Sequence, residues 1–165
     1  MTYTDLLARL EAATEGSREL DGLIAAATKT GARRLYKLAE GCHYEYEASE
    51  DIGKVNVFSV GPTLRHLEQI YDAPHFTESL DAALTLVPEG WFWEIALGVP
   101  ANTRSKIGAG PYWATLSPMD EKLIEKMREA KLLSHEGDIM SGAPTAALAA
   151  CKAILRARQS LEEQI

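Results

Sequence analysis

Apolar residues recur at helical spacing over the first 27 residues of the chain. A first stripe, in a helix for which Thr4 is the predicted N-cap, consists of Leu6, Leu7, Leu10 and Ala13. A second stripe, in a helix that Ser17 caps, consists of Leu20, Leu23, Ile24 and Ala27. The polar residues Arg18, Glu19 and Asp21 fall outside the second stripe and are predicted to face water. The pattern therefore predicts a helical hairpin over residues 1–27.

Residues 28–61 change to the alternation that is typical of strands. Tyr44 and Tyr46 alternate with charged neighbours, and residues 54–60 are rich in β-branched side chains. The polar run from Ser49 to Gly53 suits the turn of a hairpin between these two segments. After Pro62 the apolar residues return at helical spacing, which predicts a short helix with one side formed by Leu64, Leu67 and Ile70.

The next segment predicts one helix followed by two strands. Thr77 is the predicted N-cap of the helix, whose buried stripe consists of Leu80, Ala83, Leu84 and Val87. After a turn at residues 88–90, alternation predicts a strand with one face formed by Trp91, Trp93, Ile95 and Leu97. Residues 112–117 predict a second strand across the long loop of residues 98–111.

Two further helices are predicted in the last third of the chain. Ser117 is the predicted N-cap of a charged helix that reaches residue 133, with an apolar side formed by Met119, Leu123, Met127 and Ala130. Pro144 opens a final helix that reaches Gln159, with an inward side formed by Ala147, Leu148, Cys151, Ile154 and Leu155. Lys152, Arg156 and Arg158 are predicted to point outward.

Size and charge narrow the class of protein. The 165 residues predict a single domain, and a formal net charge of −7 argues against general nucleic-acid binding, which needs many phosphate-neutralising cations. The two cysteines, Cys42 and Cys151, lie far apart and predict neither a disulfide nor a zinc site. The N-terminal residues lack the pattern of a secretion signal and no apolar run is long enough to cross a bilayer, so a cytoplasmic location is predicted.

Four parts of the chain carry a resemblance to a known family. They are the strings LLARLEAATEGSRELDGLIAAA, FTESLDAALTLVPEGWFWEIAL, YWATLS and GAPTAALAACKAILRAR. Together they resemble the phage ABA-sandwich domain and the segment that often precedes it. The resemblance implies an α/β (α+β) fold, a small α/β/α sandwich in which helices cover both faces of a mostly antiparallel sheet, and a phage or prophage origin. It assigns the core to residues 75–160, leaves residues 28–74 as a variable segment, and supplies no catalytic residues.

A candidate ligand site lies in and around the loop after the first tryptophan-rich strand. Arg104 and Lys106 stand beside glycines and small hydroxyl residues, which suits them to phosphate oxygens. The aromatic residues nearest to the loop, which can stack on a base, are Phe92, Trp93, Tyr112 and Trp113. The alternative is a solvated hairpin loop next to aromatic residues that belong to the core.

Other chemistry is less well supported by the pattern. The histidines lack the spacing of a metal site, so neither a metal nor a cofactor is expected. Nucleophilic pairs such as Cys42 with His43, or Ser141 with His135, lack a nucleophile elbow and an evident orienting acid. A basic run could bind an anion or a protein, or simply balance nearby glutamates; it consists of Lys29, Arg33, Arg34, Lys37 and, further along, Arg65.

The sequence leads to three hypotheses of function. The first is a non-enzymatic phage accessory protein, a homo-oligomer, which sequesters a small anionic molecule such as a cyclic-nucleotide immune signal of the host. The second is a module that binds a host or phage enzyme through its acidic surface or through the charged helix of residues 119–133. The third is a small hydrolase, which no motif in the chain supports.

Overall fold

Six strands form two separate antiparallel sheets of three strands each in the computed structural model, which describes residues 2–32, 35–98, 110–129 and 138–162. The helices within these ranges are α1 (Tyr3–Ala12), α2 (Arg18–Thr28), α3 (Leu80–Leu84), α4 (Glu121–Glu129) and α5 (Ala146–Glu162). The strands are β1 (His43–Ala48), β2 (Lys54–Val60), β3 (Arg65–Asp72), β4 (Trp91–Leu97), β5 (Tyr112–Pro118) and β6 (Ile139–Ala143). The predicted α+β class, with antiparallel strands and helices packed on them, is confirmed.

The first sheet has the order β1-β2-β3 and packs against α2. The predicted hairpin between β1 and β2 is confirmed, with Ser49 N donating to Lys54 O at 2.9 Å across its turn. The predicted helix after Pro62 is wrong, because residues 65–72 pair with β2 along its whole length. The spacing of Leu67 and Ile70 fits a helix, yet both side chains stay exposed, so backbone pairing with β2 decides the structure here.

The second sheet has the order β4-β5-β6 and packs against α5. β4 and β5 were expected, whereas β6 was not, because its sequence IMSGA is short and contains small residues with little strand preference. α5 is the central helix: it contacts all three strands of this sheet, α1 and α3, and eleven of its seventeen residues are buried. A helix that is buried on most of its sides is typical of a core position.

α5 begins at Ala146, two residues after the predicted Pro144. Three other helices have a different N-cap from the one predicted. Each observed N-cap accepts a hydrogen bond from the backbone N–H three residues later, which satisfies a donor that the helix leaves free. These caps are Thr2 for α1, Ser79 for α3 and Asp120 for α4. Thr4, Thr77 and Ser117 are therefore not N-caps, although Ser17 caps α2 as predicted. In each case the predicted and the observed N-cap have similar capping preference and lie only a few positions apart, so the sequence does not distinguish them.

A buried carboxylate holds α2 against the segment that precedes α3. Asp21 is 0% exposed, which contradicts the prediction that it faces water. It accepts hydrogen bonds from the backbone N and the Oγ1 of Thr77, both at 2.8 Å, and pairs with Arg18 at 2.8 Å. Arg18 also donates to the carbonyls of Gly53 and Ala73. The network thus joins α2, the first sheet and the segment that precedes α3.

The thiol of Cys151 lies in the same region of the core. Its Sγ is 3.2 Å from the carbonyl oxygen of Phe76, and burial together with the nearby Asp21 raises the pKa of the thiol well above its usual range. A thiol that stays protonated is a poor nucleophile. Cys151 is therefore a core residue, as its position on the predicted inward side of the last helix indicated.

A second charged network, in which two cations share one carboxylate, joins α1 to α5. Lys152 was predicted to point outward but is 1% exposed, and its Nζ lies 3.3 Å from Glu11 Oε2 and 3.3 Å from the carbonyl oxygen of Gly142. Arg156 reaches the other oxygen of Glu11 at 2.7 Å and the carbonyl oxygen of Met140 at 2.8 Å. The carboxylate of Glu11 thus neutralises both cations, which also donate to carbonyls of β6. A buried ammonium such as that of Lys152 needs such a partner.

Candidate functional site

The β4–β5 hairpin contains four of the six residues that the sequence selected for ligand binding. Phe92 and Trp93 lie on β4, and Tyr112 and Trp113 lie on β5. Arg104 and Lys106 fall outside the described residues. The cationic half of the predicted anion site thus stays a prediction.

The register of the hairpin divides the four aromatic residues between the two faces of the sheet. Ala96 lies opposite Trp113 and Leu97 lies opposite Tyr112. Since side chains alternate along each strand, Phe92 and Trp113 share one face while Trp93 and Tyr112 share the other. Within the sheet, these four rings do not form one stacking platform.

One end of the segment between β4 and β5 lies next to the start of α5. Gly98 N donates to Pro111 O at 2.7 Å, which closes the end of the hairpin. Gly110 has a φ of +144°, and a Cβ placed on it would lie only 2.1 Å from the carbonyl carbon and oxygen of Ala143. Glycine is therefore needed here for a close backbone approach. Thr145, whose Oγ1 accepts from Leu148 N at the start of α5, follows two residues after Ala143.

Large apolar side chains are exposed along β4 and at the end of β5. Trp91 belongs to the core, but Trp93 is 41%, Phe92 60%, Leu97 70% and Met119 69% exposed. The four exposed residues, called here the β4 patch, surround the strand because Trp93 and Leu97 lie on one face and Phe92 on the other. Met119 lies beside the start of β4, where its backbone N donates to Gly90 O at 2.8 Å. Met119 was predicted to face inward from a helix, which is wrong.

The outer edge of β4 also presents backbone groups that have no strand partner among the described residues. In an antiparallel pair, every second residue directs both its N–H and its C=O at the same neighbour. The hydrogen bonds of Gly90 and Gly98 with β5 show that the even-numbered residues of β4 face β5. Trp93, Ile95 and Leu97 therefore direct their backbone groups away from β5. No other strand among the described parts of the chain pairs with this edge.

The opposite edge of the same sheet is closed. By the same alternation, Met140 and Gly142 of β6 direct their carbonyl groups away from β5. These two carbonyls accept the hydrogen bonds from Arg156 and Lys152 described above. The cations of α5 thus occupy the positions that an added strand would need. The sequence contains both cations, but nothing in it indicates that they cover a strand edge.

The other candidates from the sequence do not assemble a reactive centre in the described residues. His43 contacts Glu45 at 3.3 Å and both are exposed, while Cys42 is a partly buried free thiol. The Oγ of Ser141 is buried without a hydrogen-bond partner, and His135 lies outside the described residues. Over the described ranges, no group of three His, Cys, Asp or Glu residues is placed to hold a metal ion.

The basic run of the sequence does not form one cationic surface in the described residues. Arg65 pairs with Glu45 at 3.2 Å and with Glu47 at 2.5 Å, and it stacks 3.7 Å from the centre of the Phe58 ring. Its charge is thus balanced locally, which was the simpler of the two interpretations of this run. Lys29 is exposed at the end of α2 in a left-handed conformation with φ 55°. Arg33 and Arg34 lie outside the described residues.

A groove that the sequence did not indicate lies between α1, α2 and β1. It has a volume of about 760 Å³, and its walls include the half-buried Tyr3 and Tyr46. Burial and the nearby Glu162 raise the pKa of Tyr3 above its usual value. The groove is lined by one cation, Lys29, and by two carboxylates, Glu47 and Glu162. This excess of negative charge does not suit an anionic ligand.

Comparisons with protein families, curated proteins and solved structures give no match to this chain. The resemblance to phage ABA-sandwich proteins thus remains a prediction, and the candidate site is defined by its geometry alone. In the described part of the chain, every helix is too short or too polar to cross a bilayer.

Proposed function

We propose that this protein is a non-enzymatic binding module, and that it binds a partner protein through the β4 patch. The observation that carries the proposal is the coincidence of four exposed large apolar side chains with an unpaired strand edge. Exposed apolar clusters on monomeric proteins mark interaction sites, because leaving them in water is unfavourable. Aromatic residues and methionine are also enriched in protein interfaces.

The position of the patch supports a rigid interface rather than an adaptable loop. β4 pairs with β5 over all seven of its residues without a bulge, and Trp91 anchors the start of β4 in the core. The backbone that carries Trp93 and Leu97 is therefore ordered before a partner arrives, and little backbone entropy is lost on binding. The partner class is the second of the three hypotheses from the sequence, now placed on β4 rather than on the charged helix.

Replacing Phe92 and Leu97 by serine is expected to weaken partner capture at least tenfold. Both side chains are exposed, so the double variant loses apolar contact area with the partner and retains the core. The measurement is affinity capture from lysate with the tagged full chain, followed by quantification of the protein that is recovered. Ile52→Ser is the matched control, because Ile52 is 74% exposed on the β1–β2 turn, away from β4. Equal recovery by both variants would contradict the proposal.

A small anionic ligand is the second candidate, and one observation favours it. Gly110 lies in close contact with Ala143, shortly before the start of α5, and the residues that precede Gly110 in the sequence include Arg104 and Lys106. The start of a helix carries free N–H groups and a partial positive charge, which favour a phosphate. The hypothesis of a sponge for a cyclic-nucleotide signal rests on this arrangement.

Calorimetry with cyclic dinucleotides and cyclic ADP-ribose isomers tests the second candidate. A ligand of this site is expected to bind the full chain at micromolar protein, and to lose at least tenfold in affinity when Arg104 and Lys106 are both replaced by glutamine, because charge-assisted bonds to phosphate are lost. Replacing Lys37 and Lys54 by glutamine removes the same charge elsewhere and serves as control. The absence of heat with every member of the panel would rule out this candidate for the compounds tested.

A further inference from the structure

We propose that β4 accepts a strand from the partner protein, and that this strand carries a lysine or arginine between two apolar residues. The inference rests on the proposed protein-binding function and goes on to state the mode of binding and the chemistry of the partner. Strand addition to a sheet edge derives affinity from main-chain hydrogen bonds and specificity from alternate side chains. The structure provides separate observations for each of these two parts.

The main-chain part is an edge with little of the usual protection. Strand edges in proteins are commonly protected by charged side chains, lysine above all, by proline, by a bulge or by a covering element. The one charged residue of β4 is Glu94. The sequence of β4, WFWEIAL, contains neither lysine nor proline, and its pairing with β5 is regular throughout. β6, at the other end of the same sheet, is blocked by Lys152 and Arg156. In the described residues, the outward carbonyls of β6 thus accept hydrogen bonds, whereas no hydrogen bond is seen to the outward groups of β4.

The side-chain part depends on Glu94. It lies in the middle of β4, is exposed, and has no ion pair among the described residues. Its neighbours Trp93 and Ile95 point to the opposite face of the sheet. In a paired strand, the residue opposite Glu94 lies about 5 Å away on the same face, where a positive charge is stabilising. The residues on either side of that cation face Trp93 and Ile95, where apolar side chains bury most area.

Further negative charge lies at one end of the β4 patch and favours a basic partner. Glu89 precedes β4, and Asp120 and Glu121 follow Met119 at the same end of the hairpin; all three are exposed. Complementary charge accelerates encounter and selects among partners, whereas its contribution to affinity at an exposed site is small. The acidic surroundings and Glu94 thus point to the same class of segment.

A second copy of this chain fits the edge less well than a basic segment. The antiparallel register that pairs all seven residues of β4 with those of another β4 places Glu94 opposite Glu94. Like charges directly opposite each other are destabilising. Each copy also carries a formal net charge of −7, which adds repulsion between copies.

Two peptides test the charge of the partner. Each is nine residues long, with valine at the even positions and threonine at the odd ones. The central position, between two valines, is lysine in one peptide and glutamate in the other. The lysine peptide is expected to bind the full chain about three- to tenfold more tightly than the glutamate peptide, from the size of cross-strand charge effects. Glu94→Lys should reverse this preference, while Glu94→Gln should remove it. Equal binding of both peptides to the wild-type chain would overturn the basic-partner inference.

A proline at position 95 tests the strand addition. The N–H of Ile95 points away from β5, so Ile95→Pro removes a donor from the free edge without removing one from the β4–β5 ladder. Binding of the lysine peptide is expected to fall at least tenfold, whereas Ile95→Val, which keeps the N–H, should bind as the wild type does. Circular dichroism verifies folding. If the proline variant does not fold, N-methylation of alternate peptide residues removes the reciprocal hydrogen bonds, in which peptide N–H groups donate to the outward carbonyls of β4.

The outcomes separate this inference from the proposed function. If Phe92 and Leu97 are needed for partner capture while neither peptide binds, the binding module stands and strand addition is wrong. If Ile95→Pro binds the lysine peptide as the wild type does, strand addition is also wrong. A dimer in sedimentation that Ile95→Pro dissociates would replace the basic segment by a second copy as the occupant.

Discussion

Replacing Asp21 by alanine is expected to lower the free energy of unfolding by about 3–5 kcal/mol, the range for removing one partner of a buried ion pair. The variant leaves Arg18 without its carboxylate and leaves the buried backbone N–H of Thr77 without an acceptor. Both losses act on groups that water reaches poorly, so solvent cannot replace the missing partner. Urea unfolding followed by tryptophan fluorescence measures the change.

Asp51→Ala is the matched control for this prediction. Asp51 also forms an ion pair with a cation three residues away, Lys54, but its side chain is 72% exposed. Exposed pairs contribute about 0–1 kcal/mol, so this variant should be close to the wild type. If Asp21→Ala and Asp51→Ala unfold at the same urea concentration, the network around Asp21 does not contribute the expected stability.

Replacing Glu11 by alanine is expected to cost about 2–3 kcal/mol, less than a fully buried pair because the Glu11 side chain is 37% exposed. The variant removes the carboxylate that neutralises Lys152, whose side chain is 2% exposed, and it also unpairs Arg156. The contact between α1 and α5 then contains two cations without a balancing charge. The same urea measurement applies.

A second substitution should recover much of this loss. In the double variant with Lys152→Met, no buried ammonium remains, and replacing both members of such a pair by apolar groups is often nearly neutral. Glu19→Ala serves as the exposed control, because Glu19 pairs with Arg9 on the surface. If Lys152→Met worsens the effect of Glu11→Ala, the cost does not arise from an uncompensated charge.

Local pattern predicted those elements whose partners are close in sequence. The first two helices, the β1–β2 hairpin and the β4–β5 hairpin all depend on neighbouring residues, and their periodicity gives their type correctly. The alternation of Phe92 and Trp93 also gave their opposite faces. What periodicity does not contain is the order of strands in a sheet, so it could not indicate that β4 is an edge or that β6 exists.

The buried charges were missed for a related reason. Asp21 lies 56 residues from Thr77, and Lys152 lies 141 residues from Glu11. A polar residue in a helical pattern is normally assigned to the wet side, since burial of a charge is unfavourable without a partner. The partners here come from distant segments, so only the folded structure shows that these residues can be buried. β3 is a similar case, because its pairing with β2 outweighs its helical spacing.

The closure of β6 by Lys152 and Arg156 limits how copies of this chain can stack. An open filament of sheets needs the first strand of one copy to pair with the last strand of the next, a head-to-tail contact that repeats without end. Here the last strand of the second sheet has its outward carbonyls already bonded, so that contact is unavailable through this sheet. Within the second sheet, the β4 edge can therefore pair with a foreign strand or with another β4, and neither pairing repeats without end.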